Sequence, residues 1–213
     1  MDRPIDTLTG LLSGVELNSE MEALIAKSDE FALILMDIDE LLAINRDYGN
    51  EAGDAVFRLI AKYIRELFPE PCIGFRGKRD EFDILMPGCG KEEAFLKAEQ
   101  LRKLVCGEKL DYCSADNTPM RQSVSLGVSS YPEDGSRAAD ILRRADGAIA
   151  RAKKNGRNLV CLAREEKLTP KTSHYTQTQL EKLSLISEKE GVGEAVLLRE
   201  ALDDLLRKYD VDK

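Results

Sequence analysis

Long apolar runs are missing from this chain: nothing approaches the roughly 20 consecutive apolar residues that a membrane-spanning helix needs, so no membrane association is expected. The opening Met1-Asp2-Arg3-Pro4-Ile5-Asp6 has neither the basic nor the apolar region of a secretory leader, which points to a cytoplasmic protein. Histidine is nearly absent, with His174 alone. The five cysteines (Cys72, Cys89, Cys106, Cys113 and Cys161) are scattered and form no CxxC pair. That scarcity argues against zinc and for reduced thiols. A basic excess is also lacking: 31 Lys and Arg stand against 39 Asp and Glu, a net charge of −8. Wholesale nonspecific binding to nucleic acid or anionic membrane is thereby excluded, while a local basic patch is not.

What is present describes an ordinary globular protein. The 213 residues, 43% hydrophobic and 33% charged, suffice for one full α/β domain with an appendage. The chain is organised around Phe75-Arg76-Gly77-Lys78-Arg79-Asp80-Glu81-Phe82, backed by the apolar run Ile84-Leu85-Met86. Residues 72–76 and 82–86 flank it like the strands of a hairpin. A second acidic cluster, Asp37-Ile38-Asp39, ends the apolar run 31–36, which reads as a buried strand. Carboxylates at the ends of two apolar strands fit a divalent-metal site, and such oxygen ligands suit Mg²⁺ with nucleotide phosphate completing the shell. The same spacing also fits two solvated acidic turns.

Further along, helical spacing covers Leu17, Met21, Leu24 and Ile25. Residues 41–45 read as helical, and 48–54 as a glycine-punctuated loop closing on an N-cap at Asp54. Val56 to Leu67 form an apolar helix face, stopped by Pro69 and Pro71. An amphipathic helix is expected over 91–106, an irregular loop over 107–120 and a half-buried strand through Val124, Leu126 and Val128. A helix over 138–154 with Gly156 as its C′ residue, then a short strand at 159–162, complete an α/β sandwich. Composition breaks at 165–171, so 1–164 and 165–213 are expected to be separate modules.

From Asp6 to about Leu162 the chain resembles the GGDEF domain of diguanylate cyclases. The resemblance is carried, in order, by Asp6-Thr7-Leu8-Thr9-Gly10-Leu11, Asp37-Ile38-Asp39, Ile44-Asn45, Tyr48-Gly49, Gly53-Asp54, Arg76, Asp80-Glu81-Phe82, Ser125-Leu126-Gly127-Val128, Tyr131-Pro132-Glu133-Asp134-Gly135, Ala145-Asp146, Ala152-Lys153 and Gly156-Arg157-Asn158. It implies a palm-like α/β fold, as in nucleotidyl cyclases, with a mostly antiparallel central sheet flanked by helices. It also implies synthesis of cyclic di-GMP from two GTP across a dimer with Mg²⁺. By position, Asp37, the Ile38 carbonyl and Asp80 would bind metal, and Asp80 with Glu81 would be catalytic. Asn45 and Asp54 would read guanine, and Lys153 and Arg157 would meet phosphate.

The departures are specific. Lys78 and Arg79 stand where the family has two glycines that let substrate lie against bare backbone. Leu42 stands where a phosphate-binding lysine is usual, and Leu41 where a phenylalanine is usual. Ser13-Gly14 replaces the usual Asn-Arg, and the product-inhibition motif Arg-x-x-Asp is absent at 69–72. The expectation is a regulatory protein with a degenerate, catalytically impaired domain that binds GTP, cyclic di-GMP or a related guanine nucleotide, with Lys78 and Arg79 reaching the phosphates or folding back onto Asp80 and Asp37. The alternatives are an active diguanylate cyclase, and a non-nucleotide scaffold or DNA-binding regulator. No recognisable sensory module precedes Asp6, so a signal is expected to enter through ligand, concentration or partner.

Residues 171–209 resemble a ribbon-helix-helix module, a small dimeric DNA-binding fold. The features are a polar segment at 172–177 followed by two leucine-rich helical stretches around Gly191 and Gly193. The resemblance implies a homodimer in which Thr172, His174 and Thr176 face DNA, with residues 191–194 meeting phosphate. Charge argues otherwise: residues 165–213 hold eight Lys and Arg against eleven Asp and Glu, a net of −3, whereas phosphate binding needs a basic face. Dimerisation without DNA, or packing on its own domain, fits that balance.

Overall fold

The computed structural model describes residues 3–163, 172–190 and 193–209. The chain divides into two units, Met1–Arg164 and Glu165–Lys213. The first is built on β2, Phe31–Ile38, every residue of which is buried. Helices cover both faces of this strand, which is why the run has no polar break before Asp37.

The sheet also contains β1 (Leu12–Ser13), β3 (Ile73–Arg76), β4 (Glu81–Pro87), β5 (Val124–Tyr131) and β6 (Val160–Leu162). Among the described residues its order is β1-β3-β4-β2-β5-β6. The inner pairings, β3–β4, β4–β2 and β2–β5, are antiparallel. The outer ones, β1–β3 and β5–β6, are parallel. Side chains alternate across the sheet. Ile34, Met36, Phe82 and Ile84 meet Ile60 and Ile64 of α3 (Asn50–Leu67) and Leu101 of α4 (Lys91–Gly107). Leu33, Leu35 and Leu85 meet Met21 of α1 (Leu17–Lys27) and Ile141 and Ala145 of α5 (Ala138–Lys154). Each such buried aliphatic side chain contributes about 1.5–3 kcal/mol of transfer free energy.

Two expectations are corrected. Residues 50–54 are not a loop, and Asp54 is not an N-cap: α3 begins at Asn50, one turn earlier. Gly49, at φ 88° and ψ 161°, reverses the chain and its carbonyl accepts the Ala52 amide at 3.1 Å. The second glycine, Gly53, is buried inside the helix because α2 (Leu41–Tyr48) lies against it: a Cβ there would stand 2.1 Å from Asn45 Oδ1. Nor is β5 half-buried, since Val124 to Ser130 are all covered. Its serines look outward in sequence but are satisfied internally, Ser125 Oγ donating to Asp39 Oδ1 at 2.7 Å and Ser129 Oγ to the Ile141 carbonyl at 3.0 Å.

The end of α5 is closed by a paired C-terminal motif. The Gly156 amide donates to the Lys153 carbonyl at 3.4 Å and the Arg157 amide to the Ala152 carbonyl at 3.0 Å. Gly156 takes φ +112°, and Arg157 follows in the left-handed region at 62°.

The second unit contains α6 (Gln177–Glu190) and α7 (Glu194–Tyr209). Residues 172–176 are not a strand in this single chain, and Thr172 and His174 are exposed. An extended segment with no neighbour to complete its hydrogen bonds has no sheet to join. Thr176 instead opens α6 in a capping box: its Oγ1 accepts the Gln179 amide at 3.3 Å, and Gln179 Oε1 accepts the Thr176 amide at 2.9 Å. Lys171 and the loop residues Gly191 and Val192 lie outside the described residues. Glu194 puts an acid in the first turn of α7, where a phosphate would be repelled. Leu180, Leu185, Ile186, Leu202, Leu205 and Leu206 are exposed.

Candidate functional site

The acidic site forms where β2 runs out beside the β3–β4 hairpin. Asp37 lies opposite Glu81 of β4 and opposite Ser125 of β5. The Ile38 amide donates to the Asp80 carbonyl at 3.1 Å, which ties the hairpin turn to the strand end. Sequence-distant Asp37, Ile38, Asp80 and Glu81 are thus brought together. Alternation places the Asp37 side chain on the α5 side of the sheet, and there Lys153 Nζ meets Asp37 Oδ2 at 2.8 Å.

Asp37 is only 8% exposed. Burial pushes its carboxyl up to about 6; the Lys153 hydrogen bond opposes the shift, and the Asp80 and Asp39 charges reinforce it. Glu81 is raised by burial and by Asp80. Asp83, two residues further along β4, is pushed up to about 7 by burial and by the neighbouring charges of Glu81 and Asp146. A carboxyl that ionises less readily folded than unfolded lowers stability as pH rises through that window. Asp83→Asn is therefore expected to raise the unfolding free energy by a few kcal/mol, on the order of 2–4, at pH 8 and by little near pH 4, a difference that urea melts at the two pH values will read.

The carboxylates of Asp37 and Asp80 with the carbonyl of Ile38 are hard oxygen donors in an electronegative corner, which fits Mg²⁺. Among the described residues, no three His, Cys, Asp or Glu side chains converge as a ligand set. Two carboxylates and a carbonyl suit an ion that keeps waters and phosphate oxygens in its shell.

On the other side of the strand end, α2 and α3 present Asn45 and Asp54, both part-exposed. Asn45 Oδ1 is buried and has no hydrogen-bond partner among the described residues. Such an oxygen is costly to leave unpaired, and it sits over Gly53, one residue before Asp54. The Asp54 carboxylate has Arg58 one turn along at 3.8 Å. A separate cleft of about 580 Å³ lies between α2, residues 118–123 and residues 156–158. Arg157 lines it, together with Asp47 and Arg121, whereas Lys153 sits on Asp37.

Residues 4–159 match the family model described as diguanylate cyclase, GGDEF domain. The chain belongs to the GGDEF family. Residues 167–210 match the ribbon-helix-helix domain model. Diguanylate cyclase A of Treponema denticola is 33% identical over 138 residues, 65% of this chain and 36% of that protein. Diguanylate cyclase VdcA of Vibrio cholerae is 31% identical over 163 residues, 75% of this chain and 47% of that one. The chain thus spans about a third to a half of these relatives' length. The GGDEF domain of DgcB from Caulobacter crescentus, solved in complex with c-di-GMP, aligns with a TM-score of 0.67 at 25% identity, covering 76% of this chain and 97% of that one. The active GGEEF domain of a Vibrio cholerae diguanylate cyclase aligns at 0.66 and 29% identity, covering 73% and 99%.

In this GGDEF domain the turn 77–80 keeps, at Arg79, the backbone that glycine would take. Arg79 adopts φ 55°, a left-handed conformation that costs a side-chain-bearing residue about 1–2 kcal/mol. Lys78 and Arg79 are exposed at its tip. Arg76 holds the turn from beneath: Nη1 donates to the carbonyls of Gly77 at 3.0 Å and Glu81 at 2.6 Å, and Nη2 donates to that of Arg79. Its guanidinium lies 4.3 Å from the Phe57 ring centroid and 4.9 Å from that of Phe82. Leu42, in the usual lysine position, is 79% exposed.

Sequence reasoning gave Asp39 no role of its own. The buried carboxylate accepts Ser125 Oγ and Ser123 Oγ, each at 2.7 Å, and the Asn158 amide at 3.0 Å. It fastens β2 to β5 and to the loop that carries Arg157. The one sequence signal was the Ser-x-Ser spacing at 123 and 125.

Proposed function

We propose that this is a regulatory protein of cyclic di-GMP signalling whose GGDEF domain binds GTP or a related guanine nucleotide and forms little or no cyclic di-GMP, acting as a homodimer through its C-terminal module. The observation that carries the reading is the turn itself. Two long cations replace bare backbone where substrate would lie, one of them holding the left-handed conformation. Leu42 also withdraws a phosphate-binding charge from the first turn of α2. Against that loss, nucleotide recognition is supported by part-exposed Asn45 and Asp54 on adjoining helices: an amide and a carboxylate together match the donor and acceptor edge of guanine. Lys153, Lys78 and Arg79 would supply cations for phosphate at the acidic corner, and Arg157 one from the neighbouring cleft.

Where Mg²⁺ is bound, Asp37, Asp80 and the Ile38 carbonyl would hold it, and it would neutralise phosphate charge. The tail reads as a dimeriser rather than a DNA reader, because its net charge is negative and Thr176 spends its side chain on the α6 cap.

The second reading, an active diguanylate cyclase, is favoured by the intact acidic pair. Glu81 has a raised proton affinity beside Asp80, as a general base requires. Incubation with GTP and Mg²⁺ followed by chromatography separates the two: product that disappears in Asp80→Asn establishes the cyclase. Equilibrium titration with a fluorescent GTP analogue tests the site, and Asn45→Ala is expected to weaken binding about 10- to 100-fold. An unchanged affinity would leave a protein scaffold without nucleotide.

A further inference from the structure

We infer that Lys153 is a resident counter-ion of the metal position, keeping divalent metal off Asp37 until the phosphates of a nucleotide draw it away. Only the second half, the release by nucleotide, rests on the reading above.

The ammonium is in hydrogen-bond contact with Asp37 Oδ2, at 2.8 Å. The side chain of Asp37 is 11% exposed and that of Lys153 35%, so the cation is the outer partner of the pair. Its backbone is fixed. Lys153 occupies the last turn of α5, where the helix dipole favours a positive charge, and the paired hydrogen bonds to Gly156 and Arg157 close that end. Its stem is a flexible four-carbon chain that can swing about that anchor.

The charges around it explain why it sits there. Asp80 and Asp39 act on Asp37, and Lys153 acts on Asp37 and Glu81 alike. One ammonium therefore acts on two neighbouring carboxylates. A divalent ion bound at about 2.1 Å from a carboxylate oxygen would share that carboxylate with the ammonium, placing three positive charges in contact. Metal alone must therefore compete with Lys153 for this carboxylate. A triphosphate removes the conflict, because it offers Lys153 another partner and gives the metal further oxygen ligands. Metal and nucleotide then favour each other's binding, and the coupling is reciprocal.

The test uses the full chain and Mn²⁺ alone, with bound metal read by electron paramagnetic resonance in the absence of nucleotide. Lys153→Met and Lys153→Gln are each expected to bind Mn²⁺ about tenfold or more tightly than the unaltered chain, and Lys153→Arg to bind as the unaltered chain does. Adding Asp37→Asn to Lys153→Met should abolish the gain, which places it at this carboxylate. Equal Mn²⁺ affinity in the unaltered chain and both neutral variants overturns the proposal, as does a gain that survives Asp37→Asn. Nucleotide is tested separately, with a fluorescent GTP analogue in the presence of excess Mg²⁺. If the analogue fails to bind while the neutral variants gain metal, the nucleotide reading falls and the metal-excluding role of Lys153 stands. If it binds and the variants gain nothing, the reverse holds.

Discussion

Cyclic di-GMP formation is expected to rise by about 100-fold or more when Lys78→Gly and Arg79→Gly are combined with Leu42→Lys, because preorganised positioning of this kind is worth several kcal/mol in the transition state. The acids need no restoring: the backbone already brings Asp37, Asp80 and Glu81 to one corner where β2 meets the hairpin. The turn backbone needs no rebuilding either. Arg79 stands at φ 55°, so glycine enters without moving the chain and removes a steric penalty. The gain in stability will be small, since glycine also enlarges the conformational freedom of the unfolded chain. Leu42 is largely solvated, so lysine fits there without repacking. The glycine pair alone should give more of the increase than Leu42→Lys alone, because bulk at the turn would hold a bound nucleotide off the backbone whereas a missing charge would only weaken its hold. Product chromatography at protein concentrations that sustain a dimer is the measurement. A triple variant as inactive as the parent would locate the defect outside the turn and the α2 phosphate position.

Gly127→Ala is expected to destabilise the GGDEF domain by about 3 kcal/mol or more, an overpacking cost at the upper end for one added methyl group. The Cβ would stand 2.1 Å from the Ala145 carbonyl oxygen and 2.9 Å from the Ile149 amide nitrogen. Both are backbone atoms of α5, so no rotamer change relieves the clash and the helix itself must lift from β5. That helix carries Lys153 to Asp37, so the loss should reach the site. Urea unfolding reads the stability, and the Mn²⁺ titration reads the site in whatever fraction stays folded. A midpoint unchanged from the parent would mean that α5 rides further from the sheet than its contacts here require. By contrast, Gly53→Ala meets side chains alone, Asn45 Oδ1 at 2.1 Å foremost, and on the proposed reading would cost nucleotide binding more than stability.

Much of this architecture was legible beforehand because the signals are local. A strand covered on both faces must be apolar throughout, so 31–36 declared β2, and the helical spacing of apolar residues over 56–67 declared the buried face of α3. The acids at 37, 80 and 81 stood out because they interrupt such runs. The start of α3 is hidden in the sequence because glycine normally marks a turn, whereas Gly53 is there to let α2 approach. β5 was misread because serine looks like an outward residue until Asp39 and the Ile141 carbonyl are brought against it.

The residues alone determined the family, the order of the elements and the chemical types at the site, since these follow from short-range periodicity and from motifs contiguous in the chain. Which partner each charge would take was decided only by the fold. Lys153 reaches Asp37 rather than standing with Arg157, Asp39 fastens two strands and a loop, and Arg76 carries the turn between two phenylalanine rings. Each of these pairings joins segments far apart in sequence, and an electrostatic or hydrogen-bond partner is a matter of distances of a few ångströms that only packing of the helices on the sheet establishes.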